Sequence, residues 1–451
     1  MAGLITQLEI ARRALQAEQN LLSVVSHNIA NADTPGYSRQ QAILGATDPQ
    51  DYFPGQLGTG VSVTEIRRLR EGLTDVQLRL QSGNAGRWGV RESVFNELQT
   101  VFHEPSDSGL SATLGKFFNA YQGLANSPED PTAKAAVMNQ AQAVVDTFHS
   151  LAAQLKSVSD NVNSQAQGDV TNINQYLGEI AALNQQIVNA ESSGEQANDL
   201  RDRRDVLLDN LSQLVDISVD EHTAGEVTVR VGGVNLVDGV QARTVTGVST
   251  VAGQVTLQTS DGSSAPVLRG ELAALQELRD TTLPGYQSQL DQLASALATQ
   301  VNALQSSGPA GANVFTGNTA ASLGLDPATA ADPSRLDAGT SGAAGDNSLA
   351  LKLAGLRDAL TMSGGTTTFQ GYYEGLVGGV GAAGQQATDM NTNQTLLLQQ
   401  IENQRSSVSG VNVEEEMTQL LAAQKSFQAA SQLVTTVDTL MTTLINMKAT
   451  A

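Results

Sequence analysis

From Leu4 onward the apolar positions of the first stretch recur at alternating spacings of four and three: Leu4, Leu8, Ala11, Leu15, Leu22, Val25 and Ile29, with Glu18 as the one polar break. This heptad-like seam predicts a helix that packs against another helix. The last stretch carries a second seam through Val413, Met417, Leu420, Phe427, Val434, Met441 and Ile445, interrupted by Gln424, Ser431 and Asp438 and widened by Leu421, Ala430, Val437, Leu440 and Leu444. Neither helix has a partner nearby in sequence. The pattern alone fits two ordinary core helices of a helical domain as well as it fits two terminal helices that pair with each other as a coiled coil.

Between them the periodicity changes several times. Residues 40–65 alternate short β-like pieces (Ala42–Leu44, Val61–Val63) with glycine and proline and predict an extended connector. Helical spacing resumes over Ile66–Leu80 and continues through Trp88, Val94, Phe95, Leu98 and Phe102, with Trp88 placed in the core. A helix over about 110–124 follows. Pro131 then suits the first position of a helix running to about 190 without a break. Asp199–Val215 is helical, and next come short alternating runs at Ile217–Val219, Val227–Val231, Val234–Val237, Ala242–Val245 and Val255–Leu257, punctuated by glycines, which predict a small antiparallel β domain. Helix returns from Glu271 to Ser306 with a kink at Pro284-Gly285, then over Asp346–Leu360 and Phe369–Ser409. Residues 307–346, rich in Gly, Ala, Ser, Asp and Thr, are given no structure. The fold class expected is mainly α with a small inserted β domain. It divides into a terminal assembly domain (1–39 plus 411–451), a rod-like bundle of long helices with extended connectors (40–216 plus 270–410) and an antiparallel β insertion (217–269).

The net charge of −21 over 451 residues argues against nucleic acid and anionic membrane as partners, since both call for basic patches. Of the two basic clusters, Arg67-Arg68-Leu69-Arg70 and Arg201-Asp-Arg203-Arg204, the second is interleaved with Asp199, Asp202 and Asp205, which suits a salt-bridged helix face. With no cysteine there is no disulfide, thiolate metal site or cysteine nucleophile. No apolar run approaches the 18 or more residues of a membrane span, and Arg12, Arg13 and Glu18 interrupt what a cleavable signal would need as its apolar core. Gly379, Gly381 and Gly384 match G-x-G-x-x-G, with Glu402 near the expected distance, but no strand precedes them; they suit close helix packing instead of a dinucleotide. His27, His103, His149 and His222 are scattered without metal-ligand spacing, and His27 suits a hydrogen bond beside the turn that follows it. The expectation is no catalytic, metal-binding or cofactor-binding residue and no cofactor.

The first helix runs into Ser26-His-Asn28-Ile29-Ala30-Asn31-Ala-Asp33-Thr34-Pro35-Gly36-Tyr37-Ser-Arg39. Asn31 and Asp33 suit a helix end, and Thr34 to Tyr37 suit a tight turn with Pro35 fixing φ and Gly36 accepting a positive one. As a string at this position the segment resembles the signature of the bacterial flagellar axial proteins, which comprise rod, hook and hook-associated types. Two more strings, NDLRDRRDVLLDNLSQLVDI at 198–217 and SVSGVNVEEEM at 407–417, resemble the hook-associated protein 1 branch of that family. In the second string, Asn412 with Glu415 forms a capping-box arrangement, and the acidic triplet Glu414–Glu416 is explained by capping and solvation.

The resemblance implies a structural subunit at the extracellular hook–filament junction, exported by the flagellar type III apparatus without a cleaved signal peptide. Its implied partners are further copies of itself in a ring or helical layer, the hook protein, the next hook-associated protein, and an export chaperone on the C-terminal helix at about 412–447. The alternatives are a hook- or rod-type subunit, which would look mostly β outside its terminal helices, or an adhesin using the β insertion. Because ordering a residue costs roughly 1–2 kcal/mol of backbone entropy and one apolar face returns less than that, the terminal helices are expected to order only when neighbouring copies cover them.

Overall fold

The computed structural model describes residues 2–52, 55–192, 194–251 and 254–449. Helix α1 (Ala2–Ala30) leads through the turn into a β-hairpin. Strands β1 (Gln40–Ala46) and β4 (Val61–Arg68) pair antiparallel with a bulge at Ile43/Leu44, and the short pair β2 (Gln50–Tyr52) and β3 (Gly55–Leu57) lies between them. The bundle follows with α2 (Gly72–Phe102), α3 (Leu110–Asn126), α4 (Pro131–Glu191) and α5 (Asn198–Leu214). Two antiparallel sheets come next. Strands β5 to β8 (Ser218–Glu221, Val227–Val231, Val234–Asp238, Gln241–Ala242) form a meander, and β9 to β11 (Val245–Val251, Gln254–Thr259, Ser264–Pro266) a second. The chain returns through α6 (Glu271–Glu277), a π-helical turn and α7 (Leu283–Gln305) to the short pair β12 (Phe315–Thr316) and β13 (Gly324–Leu325). Helices α8 (Pro327–Ala331), α9 (Ser348–Gly355), α10 (Phe369–Ser409) and α11 (Val413–Ala449) complete it.

The mainly α class, the β insertion and the unbroken α4 agree with the sequence. Asp130 caps α4 by accepting from the Thr132 amide at 2.8 Å, with Pro131 in the first turn. The insertion is held on α4 by two side-chain amides. Asn174 exchanges hydrogen bonds with the Val245 backbone, and buried Asn184 bonds the backbone of Val227 and Gly239 and the Arg204 guanidinium. Its two ends meet at Gly270. There φ is +91° and a side-chain carbon would sit 2.4 Å from the Leu214 carbonyl oxygen, so the position has room for glycine alone.

Other expectations need correction. The connector over 40–65 is the β1–β4 hairpin, because alternation on both arms lets them pair. The helix expected from Ile66 begins at Gly72, since Ile66 is still paired with Ala42. The strand expected over Ala242–Val245 divides into β8 and β9 as the chain passes from one sheet to the other. The kink expected at Pro284 is a π-helical turn over Leu278–Thr282, just ahead of that proline. The helix expected over Asp346–Leu360 shortens to Ser348–Gly355. Trp88 is half-buried at the edge of the core, under the Arg91 guanidinium at 5.1 Å. Of the G-x-G-x-x-G glycines, only Gly384 makes a close approach, against Phe95 and Gln99 of α2.

The segment 307–346 is folded. Val314, Phe315, Ala320, Leu323 and Leu336 are buried in the core. Its Asp, Ser and Thr content is spent on local backbone bonds: Asp326 accepts from the Ala328 and Thr329 amides, Asp332 from Ser334, and Asp346 from Ser341 and Ser348. Composition suggested an unfolded stretch; turn chemistry explains the same residues as caps.

Candidate functional site: the joint at the base of the terminal helices

The end of α1 lies against the start of α11, and the two run antiparallel in contact. On α1, Ala11 and Val25 are buried and Leu4, Leu8, Leu15, Leu22 and Ile29 half-buried. Ala17 and Val24 are buried as well, for α1 also packs on the β1–β4 hairpin. On α11 the covered line runs through Glu416, Ala423, Ala430 and Val437 at intervals of seven, with Leu420, Phe427, Val434 and Met441 half-buried beside it. Val413, Met417 and Ile445, assigned to the seam on hydrophobicity, are exposed. The small alanines let the helix axes approach, and the bulkier residues are displaced to the flanks.

The turn after α1 is built as its residues require. The Tyr37 amide donates to the Thr34 carbonyl at 3.1 Å, with Pro35 at the second position and Gly36 at φ +78° in the third. Asn31 closes the helix by donating its side-chain amide to the His27 carbonyl at 3.0 Å, and Thr34 donates to Asn31 Oδ1. Ile29 and Ala30 form the last turn before it. Gly36 presses on α5: a side-chain carbon there would sit 2.1 Å from Val206 Cγ2. Gly36→Ala is therefore expected to cost at least roughly 1–2 kcal/mol for the left-handed backbone, with the Val206 overlap on top. Val206→Ala in the same chain should return only the steric part, as read from urea midpoints.

Asn28 is the centre of the joint. Although buried, all its polar capacity is used. Nδ2 donates to the Gln40 carbonyl (2.9 Å) and Glu416 Oε2 (3.0 Å), while Oδ1 accepts from the Tyr37 hydroxyl (2.8 Å) and the Gln40 amide (2.9 Å). Glu416 is buried too, and its other oxygen accepts from Arg39 Nε at 2.7 Å; Arg39 also reaches Glu415 at 3.2 Å. The acidic triplet is thus more than capping and solvation. Asn412 does accept from the Glu414 amide at 3.0 Å, but the side chains of Glu415 and Glu416 are committed to Arg39. Burial and the neighbouring Asp199, Asp202 and Glu416 push the Tyr37 phenol well above its ordinary range.

Helix α5 is the socket. Asp199 accepts from Gln40 Nε2 (2.8 Å) and faces His27 (3.3 Å), and Asp202 accepts from the Ser38 amide and hydroxyl (2.9 and 2.7 Å). Further along, Asp205 takes Arg68 and Arg70 at 2.7 Å and Arg79 at 3.3 Å, and Asp209 takes Arg79 and Arg405. The two basic clusters noted in the sequence thus differ in role. Arg68 and Arg70 tie the hairpin to α5, whereas Arg201 and buried Arg204 tie α5 to the insertion. Sequence reasoning missed Ser38, Arg39, Gln40 and Glu416 as a unit. No local signal marks them: of the four, the acidic stripe at 199, 202, 205 and 209 takes Ser38 and Gln40, while Arg39 and Glu416 pair with each other.

Among the described residues no group of three or more His, Asp or Glu is placed to hold a metal, and no helix is long and apolar enough to cross a membrane. The arrangement ties the turn after α1 to α5 and the start of α11 to Arg39.

Comparison with known proteins accounts for this layout. Residues 8–37 match the flagella basal body rod protein model, and 402–447 the C-terminal model of the flagellar basal body rod FlgEFG proteins. Those matches fall on the two terminal helices, and they place the chain in the class of flagellar axial structural proteins. Residues 95–313 match the model of the flagellar hook-associated protein FlgK helical domain. The flagellar hook-associated protein 1 of Bacillus subtilis is 31% identical over 99% of both chains, and that of Salmonella typhimurium 30% identical over 66% of this chain and 56% of its own. The chain belongs to the flagellar hook-associated protein 1 family, the structural proteins of the junction between hook and filament. The solved structure of the flagellar hook junction protein FlgK from Burkholderia pseudomallei shares the fold, with a TM-score of 0.65 and 18% identity over 74% of this chain and all of that one.

Proposed function

We propose that this subunit polymerises through α1 and α11 into a ring or helical layer between the hook protein and the next hook-associated protein. The bundle and β insertion are carried outside that layer. In this reading the terminal assembly domain is 1–39 plus 411–451, the bundle 40–216 plus 270–410, and the insertion 217–269. The chain works by packing alone, without a reaction, cofactor, nucleic acid or membrane. It reaches the outside of the cell by flagellar export without a cleaved signal peptide, with a chaperone shielding α11 beforehand.

One observation carries the reading: α1 covers only one face of α11 and leaves Leu421, Leu433 and Leu440 about half exposed, at 55%, 59% and 48%. A helix with apolar residues beyond its intramolecular contact gains stability only when other helices cover it. Two measurements test this. In a verified monomer, amide exchange at Leu8–Ile29 should be fast, and strong protection there would show that the pair needs no neighbours. A strain lacking the chain should build hooks but shed flagellin into the medium; normal filaments would refute the junction role.

A further inference from the structure

A cleft of about 790 Å³ lies beside the joint, bounded by Asn20 of α1, strand β4, Ala190 at the end of α4, and residues 194–200 leading into α5. Its size falls in the range of roughly 300–1,000 Å³ used by small organic guests. The walls are partly apolar, from Val63, Ile66 and Leu200, each half-buried. Its charged groups are all of one sign. Glu65, Glu195 and Asp199 bring three carboxylates, and among the described residues no lysine, arginine or histidine lines the cleft.

Hydrogen-bond acceptors are in excess there. Asn198 is 6% exposed, donates Nδ2 to the Ile66 carbonyl at 2.8 Å, and leaves its buried Oδ1 without a partner. Glu195 is exposed, and no cation among the described residues reaches it. Glu65 uses one oxygen, accepting from Gln196 Nε2 at 2.6 Å. Asp199 accepts from Gln40 at 2.8 Å and faces His27 at 3.3 Å through the same oxygen. The amino end of α5 opens here as well and favours an anion, but it supplies only about half a charge against three. The carboxylates do not converge: among the described residues no three acidic or histidine groups are placed to hold a metal ion. Charges spread along a partly apolar cleft suit a cation whose own charges are spread along an aliphatic chain.

We infer that the cleft binds an extended organic cation: ammonium or guanidinium groups carried on an aliphatic chain. Its N–H donors meet Glu65, Glu195 and Asp199, and one of them supplies the hydrogen bond that Asn198 Oδ1 lacks. Its methylenes lie against Val63, Ile66 and Leu200. A free polyamine and the arginine or lysine side chain of another protein share this chemistry. A second copy of this chain is a poor source, since at a net charge of −21 it repels itself. The inference does not rest on assembly through the terminal helices. Only Asn20 comes from one of them, so the site can be tested in the free chain.

Spermidine and the peptide acetyl-Arg-Gly-Arg-amide are the two probes, each added to the purified full-length chain with NaCl controls at equal ionic strength. At least one should saturate at a single site, shifting the methyl NMR signals of Val63, Ile66 and Leu200 and the side-chain amide of Asn198. The tighter of the two identifies the source as free polyamine or protein side chain. Glu195→Gln and Glu65→Gln remove exposed charges without touching the core, and each should weaken binding about two- to five-fold. Glu179→Gln, at an exposed carboxylate elsewhere on α4, should leave binding unchanged. Three results would overturn the inference. The first is that neither probe moves those signals. The second is that Glu179→Gln weakens binding as much as Glu195→Gln, which marks diffuse attraction to an acidic chain. The third is that Mg²⁺ at equal charge moves the signals as far as spermidine does, which marks a point-charge site.

Discussion

Arg39→Met is expected to loosen the terminal helices from the bundle and leave the bundle itself folded. Glu416 sits 1% exposed with one oxygen on Arg39 Nε at 2.7 Å and the other on Asn28 Nδ2 at 3.0 Å. Removing the guanidinium strands a buried carboxylate on one neutral donor, and breaking such a pair from one side costs about 3–5 kcal/mol. The loss falls at the base of α11, because Arg39 also holds that region through its backbone: its amide donates to the Ser409 carbonyl at 2.8 Å and its carbonyl accepts from the Leu69 amide at 2.8 Å. Those backbone bonds survive the substitution, so the joint weakens without coming apart everywhere. The double variant Arg39→Met with Glu416→Met removes the stranded charge and should recover most of the loss, since exchanging a whole buried pair for apolar residues is close to neutral. The readout is the temperature at which isolated flagella release their filaments, compared across both single variants and the double. If the double is as weak as Arg39→Met, the pair contributes as packing and the electrostatic account fails.

That network also shows where sequence reasoning stops. The pairing of α1 with α11 was legible because a seven-residue repeat is a local signal, readable within each helix. Its register was not. Ala423, Ala430 and Glu416 occupy the covered line and score as weakly apolar or charged, while the conspicuous Val413 and Met417 face outward. The turn at Thr34–Tyr37 was legible from Pro35 and Gly36, but its socket was not, since Asp199, Asp202 and Val206 lie more than 150 residues away. The α5 stripe has the same character. Four aspartates on one helix face satisfy a solvated-helix pattern equally well, and only the fold brings Arg68, Arg70, Arg79 and Arg405 to them. In 307–346 the failure was one of category: residues that disfavour regular structure were read as lacking structure, when each of Asp326, Asp332 and Asp346 caps a specific amide.

Stability of the bundle should rise as the pH falls from 8 to 5 and then decline below about 4, with two aspartates setting the two limbs. Asp169 on α4 is buried with one carboxylate oxygen lacking any hydrogen-bond partner; burial, and after it the charge of Glu271 on α6, push its pKa up to about 7. A carboxyl raised in the folded state contributes stability that is fully present below its unfolded pKa near 3.8 and lost as pH rises through about 7. A rise from 3.8 to about 7 corresponds to roughly 4 kcal/mol, all of it a penalty at pH 8. Glu271, itself raised by burial though it accepts from Gln213 at 2.7 Å, adds to the same limb. Asp205 has the opposite sign. Burial alone would raise it, but Arg70, Arg68 and Arg79 together hold it below the usual carboxylate range, so its contribution is present above the unfolded pKa and disappears as acid protonates it. Asp169→Asn keeps the shape and removes the charge. It should stabilise the protein at pH 8 by up to roughly 4 kcal/mol, flatten most of the slope between pH 8 and 5, and leave the acid limb unchanged, because that limb belongs to the α5 arginine cluster. Urea titrations at pH 8, 6.5, 5 and 3.5 on both chains measure this directly. A variant that keeps the wild-type slope between pH 8 and 5 would show that Asp169 is ionised without cost, and the rising limb would then have to come from elsewhere in the bundle.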